Sequence, residues 1–464
     1  MTLGPPAPMA LRDRTQWHLG ANAPVAVWLA ATLAITLFRR YIPESPWLLV
    51  HLLLLGAVTN AIFVWSAHFA DALLRRRATA GSRRWQTARL VALNVGVLAV
   101  VAGMVSSAWI LTLVGSVVVG AAAAGHGITL ALQARAALAS RFGATVRYYV
   151  YASLALPIGA GLGAALARDP LGLWHGRLVV AHITLNLLGW IGLTVMGTLV
   201  TLWPTMLRTR IAEGAERVAR QALPILVGSV VVSVTGALCG LQALAAAGVA
   251  AYLSGVLWAV RPLAQVARAK APSAYATWSV MAAVIWLVGS LAGLVTVLVI
   301  SPTWQSVTDR LGLLIIPLAA GFAAQILLGA MSFLVPVVLG GGPTVLRGTQ
   351  ARMDRANALR AVLINAGLLV WVVAAVLPVP SQVRVPVSVL VLSAFAAFLP
   401  LLVSAVLYAV RAKRVGQQGA IDRSTLPRHV PEPAAVTHRR HNTQATMALA
   451  LVTLAVAVGY ALAR

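Results

Sequence analysis

Cysteine is almost absent from this sequence, since Cys239 is the single thiol among 464 residues. One thiol excludes a disulfide framework, and it excludes a zinc or iron–sulfur site built from the cysteines of one chain. Acidic residues are also few, ten in all, and each falls in a loop or at the end of an apolar run. Proton-driven carriers generally place a carboxylate deep in the membrane, so the pattern argues against that class of protein.

Charge of either sign is scarce, at 10% of residues against about 25% in soluble domains. Hydrophobic residues make up 60% of the chain, and the mean hydropathy is +0.87. Apolar runs of about 20 residues recur from end to end, and each is long enough to cross a bilayer core of about 30 Å. The alternating segments of about 10 residues that mark a membrane β-barrel are missing. We therefore predict an all-α fold, a polytopic transmembrane helical bundle.

Arginine clusters, prolines and glycines divide the chain into about 13 predicted spans. Their predicted limits are 22–38, 47–74, 87–104, 107–134, 147–167, 173–203, 221–241, 244–263, 274–300, 311–338, 357–377, 384–411 and 445–462. A tight turn near Ser106 and Ser107 must separate the third span from the fourth. The predicted domains are a transmembrane core at 1–411, a basic cytoplasmic linker at 412–444 that we expect to be flexible, and a C-terminal transmembrane helix at 445–464.

The net charge of +26 is concentrated in the loops between apolar runs, which indicates topology and contact with anionic lipids, not nucleic acid. Most of the 36 cations fall on one side if the N-terminus is cytoplasmic. The positive-inside rule then predicts a multi-pass protein of the cell (cytoplasmic or inner) membrane, with the N-terminus inside and the C-terminus outside.

Histidines within the apolar runs are the strongest candidates for chemistry, because an ionisable side chain in the membrane is costly and usually functional. His51 near the start of the second predicted span, and His175 and His182 in the sixth, form an outer layer. His175 and His182 are seven residues apart, so they share a helix face at about 10 Å along the axis. Asn186 extends that face by one turn. Neutral imidazole is a common ligand of haem iron and copper, so we predict cofactor or metal binding at these three histidines, supported by Asn186.

A second, inner layer contains His68 and His126, which are weaker candidates for metal ligands. His68 precedes an arginine cluster and suits a structural position at the interface, whereas His126 suits a hydrogen bond to a neighbouring helix. His175 can equally be an interface residue beside Trp174 and Arg177. Histidines in polar segments are expected in solvent, namely His18, His429, His438 and His441. Gly159, Gly161 and Gly163 are expected to permit close helix contact.

The sixth-span segment AHITLNLLGWIGLTVMGTLVTLWP (181–204) resembles proteins related to subunit I of the haem–copper oxidases. The segments WLLVHLLLLGAVTNAIFVWSAHFADALL (47–74) and QILLGAMSFLVPVVLGGGP (325–343) are closer to one group. That group is the actinobacterial membrane proteins labelled copper oxidase, found alone or fused to a copper nitrite reductase-like domain. The resemblance covers nearly the whole chain and implies a subunit I-like core of 12 helices plus one C-terminal helix.

The resemblance also implies roles for individual residues. His51 matches the second-span histidine that binds low-spin haem, and His182 matches the sixth-span copper ligand. The match then fails, because Asn186 stands where many oxidases have tyrosine. The segments PILVGSVVVSVTGALCG (224–240) and LLIIPLAAGFAAQILLGAMSFLVP (313–336) contain no histidine, although the family's seventh and tenth spans do. A complete oxygen-reducing centre is therefore not expected, and whether the chain is an enzyme stays open.

Three hypotheses about function follow. The first is a redox-associated membrane protein that binds haem or copper near the extracytoplasmic face and supplies electrons to, or anchors, a copper oxidase or nitrite reductase. The second is a transporter or channel for a small solute or metal ion, without a redox cofactor. The third is a scaffold that binds no cofactor and whose partner carries the chemistry.

Overall fold

The computed structural model of the chain is entirely helical in the part that it describes. The described residues are 11–76, 78–137, 143–168, 173–375, 377 and 379–424, and they form helices and connecting turns without a strand. Helices suit a membrane because each satisfies its own backbone hydrogen bonds, which hydrocarbon cannot do. The predicted all-α class is confirmed.

Twelve helices in the described residues are long and apolar enough to cross a membrane. In chain order, spans 1 to 12 are Gln16–Tyr41, Ser45–Leu73, Ala80–Val105, Trp109–Ala136, Gly143–Leu166, Trp174–Leu207, Ala215–Leu238, Gln242–Ala269, Tyr275–Ile300, Trp304–Leu339, Gly342–Ala374 and Ser381–Arg414. They correspond one to one with the first twelve predicted spans, so the polytopic bundle is confirmed. The predicted helix at 445–464 lies outside the described residues.

The tight turn between spans 3 and 4 forms where the sequence predicted it. The third span ends at Val105, Ser107 adopts a left-handed φ of 55°, and the fourth begins at Trp109. At the other end of the chain, the last described helix, Phe398–Ser424, continues beyond the predicted boundary at residue 411. The beginning of the predicted linker is therefore helical, and its remainder, 425–444, lies outside the described residues.

The chain divides into two compact units. The first comprises Met1–Pro272 and Met281–Leu327. Its interior contains large aromatic side chains whose polar atoms bond across helices. Tyr252 donates to the carbonyl oxygen of Leu188 (2.9 Å), and Trp190 Nε1 donates to Thr59 Oγ1 (3.1 Å). These bonds join span 6 to spans 8 and 2.

The second unit comprises Ser273–Val280 and the chain from Leu328 onward. Its buried polar centre is Arg360, whose guanidinium carbon lies 3.6 Å from the ring centroid of Tyr275. The backbone N–H of Tyr275 donates to Asp354 Oδ1 at 2.6 Å. Three successive glycines, Gly340 to Gly342, have φ values of 60°, 101° and 85°, so this turn into span 11 requires residues without a side chain.

Candidate ligand-binding cavity

The first unit contains a cavity of about 500 Å³, a size typical of small-molecule sites. Spans 2, 3, 4, 5, 6 and 10 all contribute to its wall, which is mostly apolar. Two imidazoles and one amide stand out in that lining: His51, His182 and Asn186. Since an apolar pocket with a few convergent polar groups is the usual form of a binding site, this cavity is the candidate functional site.

The structure brings His51 of span 2 and His182 of span 6 together at this cavity. Their ring centroids are 6.3 Å apart, and the ring planes are tilted by 33°. Both side chains are half-buried and line the cavity. Histidines 131 positions apart in the chain therefore meet at one end of the bundle, where spans 2 and 6 begin.

Backbone carbonyls orient both imidazoles in the same way. His51 Nδ1 lies 2.8 Å from the carbonyl oxygen of Trp47, and His182 Nδ1 lies 2.9 Å from that of Gly159. A carbonyl only accepts, so each Nδ1 must carry the proton and donate. Each Nε2 then retains its lone pair, which is the arrangement found in histidines that bind metals.

Asn186 contributes to holding His182. Its Nδ2 donates to the carbonyl oxygen of His182 at 2.9 Å and lies 3.2 Å from His182 Nδ1. The second approach does not compete with the Gly159 bond, because a protonated Nδ1 cannot accept. Asn186 therefore braces the helix turn that carries His182 and adds a polar group to the cavity wall.

Two glycines of span 5 create the space for these side chains. A Cβ at position 163 would lie 2.9 Å from Cε1 of His182, and a Cβ at position 159 would lie 2.7 Å from Cγ of Asn186. Gly161 has nothing within 4 Å of its virtual Cβ. The expected close contact is thus confirmed for Gly159 and Gly163 but is wrong for Gly161, because residues two apart on a helix point in different directions.

Trp47 covers one face of the His51 imidazole. The two ring centroids are 3.9 Å apart, and their planes differ by only 17°. The tryptophan thus stacks on the ring that its own backbone carbonyl orients, four residues earlier in the same helix. Both contacts hold the imidazole in one rotamer at the cavity wall.

Each of spans 2, 6 and 10 contains a π-helical segment, and all three segments reach the cavity. These segments are Leu52–Val58, Thr184–Gly192 and Pro317–Ala324. They supply Leu54, Asn186 and Leu318, among others, to the lining. π-helical turns are rare and occur frequently at functional sites, so three around one cavity support its assignment as the site.

The other predicted ligands lie away from the cavity lining. His175 is half-buried and does not line the cavity, while its neighbours Trp174 and Arg177 form a cation–π pair at 5.5 Å. His126 is buried and bonds through Nε2 to Ser66 Oγ of the neighbouring span (2.8 Å), with its ring stacked on Phe63. This is the structural position that was the alternative for His126.

His18 is not in solvent, and that prediction is wrong. Its side chain is only 2% exposed, because the first helix begins at Leu11 and carries the residue into the bundle. The imidazole contacts His68 edge to face, with centroids 5.0 Å apart, and stacks on Trp65 at 6.0 Å. His68 thus belongs to an aromatic cluster with His18 and not to the cavity.

The donor set restricts what the cavity can hold. No group of three His, Cys, Asp or Glu side chains suited to a metal ion occurs in the part of the chain that the structure describes. A four-ligand zinc site of the usual kind is therefore not formed by those side chains. Two imidazoles would be donors for haem iron or for copper if either were bound.

Sequence patterns missed the remaining walls of the cavity. Thr112 and Ser116 of span 4, Met104 of span 3 and Leu318 of span 10 all line it, yet none differs from an ordinary residue of an apolar helix. The one available signal was the spacing of Gly159 and Gly163, which places two gaps on one helix face.

The comparison with known proteins adds no further residue, since no protein-family profile matches the chain and no curated protein is significantly similar to it.

Proposed function

We propose that this integral membrane protein binds a redox-active metal centre, haem iron or copper, through Nε2 of His51 and His182. The proposal rests on one observation, the convergence of these two imidazoles on a shared cavity with both Nδ1 atoms bonded to backbone carbonyls. Rings held in this way lose little conformational freedom when a metal binds.

The separation of the rings suits a single metal between them. Imidazole nitrogens bind a metal at about 2.0–2.1 Å, so ring centroids 6.3 Å apart are near enough for both rings to bind one metal ion. In the haem–copper oxidases that the sequence resembles, the matching histidines serve separate centres. Here the two belong to one site, and a bound haem or copper would supply one-electron transfer.

The membrane context defines the role that we propose. With the N-terminus inside, the starts of spans 2 and 6 face the extracytoplasmic side, and the centre is close to that surface. We propose that it supplies electrons to a copper oxidase or nitrite reductase on that side, or anchors one. The chain's own residues orient the ligands and surround the site with mostly apolar walls. Oxygen reduction is not part of the proposal, because the segments 224–240 and 313–336 contain no histidine, whereas the seventh and tenth spans of the oxidases that the sequence resembles do.

Optical spectroscopy and metal analysis of the purified protein test this function. We expect a Soret band or stoichiometric copper in the wild type, and loss of either in His51→Ala and in His182→Ala. His175→Ala is the matched control, since it removes the neighbouring span 6 histidine that does not line the cavity. Metal retained in both cavity variants, or a wild type that binds neither haem nor copper, would overturn the proposal.

A transporter for a small neutral solute is the second candidate, favoured by the mostly apolar lining of the cavity. Such a solute needs no metal, so the two imidazoles would serve only as hydrogen-bond acceptors. Solute flux into liposomes that persists in the double variant His51→Ala, His182→Ala would support this candidate over a redox centre.

A further inference from the structure

The cavity lining contains one sulfur atom, a soft donor for metal ions, in addition to the histidine pair. Of the residues that line it, Met104 near the end of span 3 is the one that carries sulfur. Its side chain is partly buried. Met104 shares the cavity lining with two imidazoles that have available lone pairs, and because a thioether is only a weak hydrogen-bond acceptor, its sulfur is of interest here as a metal ligand.

Helix direction brings the side chains of Met104 and the two imidazoles to similar depths. Helical side chains lean toward the N-terminus of their own helix. Span 3 ends where spans 2 and 6 begin, so Met104 leans inward from that end of the bundle, while His51 and His182 lean outward toward it. The three side chains therefore converge in depth, and the three rotatable bonds of methionine allow its sulfur to adjust to a bound ion.

Thioether and imidazole together select a particular ion. Soft sulfur ligands favour Cu(I), whereas carboxylates and water favour harder cations. No acidic residue lines the cavity, so nothing there compensates the charge of a divalent ion. A monovalent ion in an apolar surrounding has a smaller desolvation cost than a divalent one.

We infer that the cavity is a Cu(I) site in which the Met104 thioether completes a three-ligand set with His51 and His182. This inference rests on the proposed function, and it chooses copper over haem iron. It also accounts for the missing third histidine, carboxylate or thiolate, because the third ligand belongs to another chemical class.

Competition with a chromogenic Cu(I) chelator measures the role of Met104. Purified apoprotein is titrated with Cu(I) under anaerobic conditions, and the dissociation constant is compared between the wild type, Met104→Leu and Met281→Leu. Met281 is the control, since it lies outside the cavity lining and is 39% exposed. Losing only an outer-shell partner of a metal costs about 10–100-fold in affinity, so we expect at least ~10-fold weaker binding in Met104→Leu and no change in Met281→Leu.

X-ray absorption at the copper edge provides a readout that does not depend on affinity. We expect nitrogen neighbours plus one sulfur neighbour at about 2.3 Å, close to the usual metal–sulfur distance, and loss of the sulfur contribution in Met104→Leu. Equal Cu(I) affinity in Met104→Leu and wild type, with binding lost in His51→Ala, would refute the role of Met104 and leave the histidine site standing. Haem in place of copper would also refute the Cu(I) inference without refuting the proposed function, whereas a protein that binds neither would refute both.

Discussion

The imidazole of His182 lies directly over Gly163, with Cε1 2.9 Å from the position that a Cβ on residue 163 would occupy. The Nδ1 atom of His182 bonds to the carbonyl oxygen of Gly159, which lies one turn before Gly163 in span 5. Span 5 thus provides both the space for the ring and the acceptor that sets its tautomer.

Gly163→Ala is predicted to weaken metal binding at the cavity. The new methyl group forces the His182 ring to move, which lengthens the bond to Gly159 and misdirects Nε2. Alanine is also favoured over glycine in a helix by about 1 kcal/mol. Because this gain offsets the cost of the new contact, we expect the thermal stability to be nearly unchanged. Gly161→Ala is the matched control, since a Cβ there meets nothing within 4 Å. Equal metal affinity in the two variants would contradict the role given to Gly163.

Trp47 is predicted to report metal binding through its fluorescence. Its ring stacks on His51 at 3.9 Å, so copper or haem bound to that imidazole quenches it by close contact. Titration of Trp47→Phe with metal should show a smaller fractional loss of emission than the wild type. Trp174→Phe, which removes a half-exposed indole outside the cavity lining, should retain the wild-type response. A larger fractional loss of emission in Trp47→Phe than in Trp174→Phe would contradict the prediction.

Ser66→Ala is predicted to destabilise the fold while leaving the cavity intact. Ser66 Oγ accepts from Nε2 of the buried His126 at 2.8 Å and donates to Ile62 O. Interhelical hydrogen bonds in membranes contribute about 1 kcal/mol. We therefore expect the free energy of unfolding to fall by about that amount, which thermal unfolding in detergent detects as a lower midpoint temperature. Ser254→Ala, whose exposed hydroxyl bonds only to its own helix, should unfold like the wild type. Loss of metal binding in Ser66→Ala would indicate that His126 belongs to the site after all.

Topology can be read from the one native thiol. Cys239 follows span 7 and is exposed, and the positive-inside prediction places it on the extracytoplasmic side. A membrane-impermeant maleimide should therefore label intact cells that express the wild type but not Cys239→Ser. A cysteine introduced as Ser273→Cys in the Cys239→Ser background, between spans 8 and 9, should react only after the membrane is opened. The opposite labelling pattern would invert the predicted orientation.

The number and order of the spans could be predicted from the sequence because the membrane imposes them locally. A run of about 20 apolar residues crosses the bilayer whatever its neighbours are, and only a helix satisfies its backbone there. The break at Ser107 was visible for the same reason, since one run was too long for a single crossing. The start of span 1 is not marked in the sequence, because polar and apolar residues mix before Pro24, and the prediction for His18 was wrong for that reason.

The meeting of His51 with His182 was decided by tertiary structure. Helical periodicity fixes which residues share a face of one helix, but the rotation of that helix and the identity of its neighbours depend on packing among spans rich in Leu, Val and Ala, which are nearly interchangeable in pattern. His175 and His182 were expected on one face, yet only His182 lines the cavity. The π-helical segments of spans 2, 6 and 10 also change which residues share a helix face, and the regular periodicity of an α-helix does not reveal this change. The sequence alone therefore determined a twelve-span helical membrane core, and packing between the spans determined which imidazoles came together.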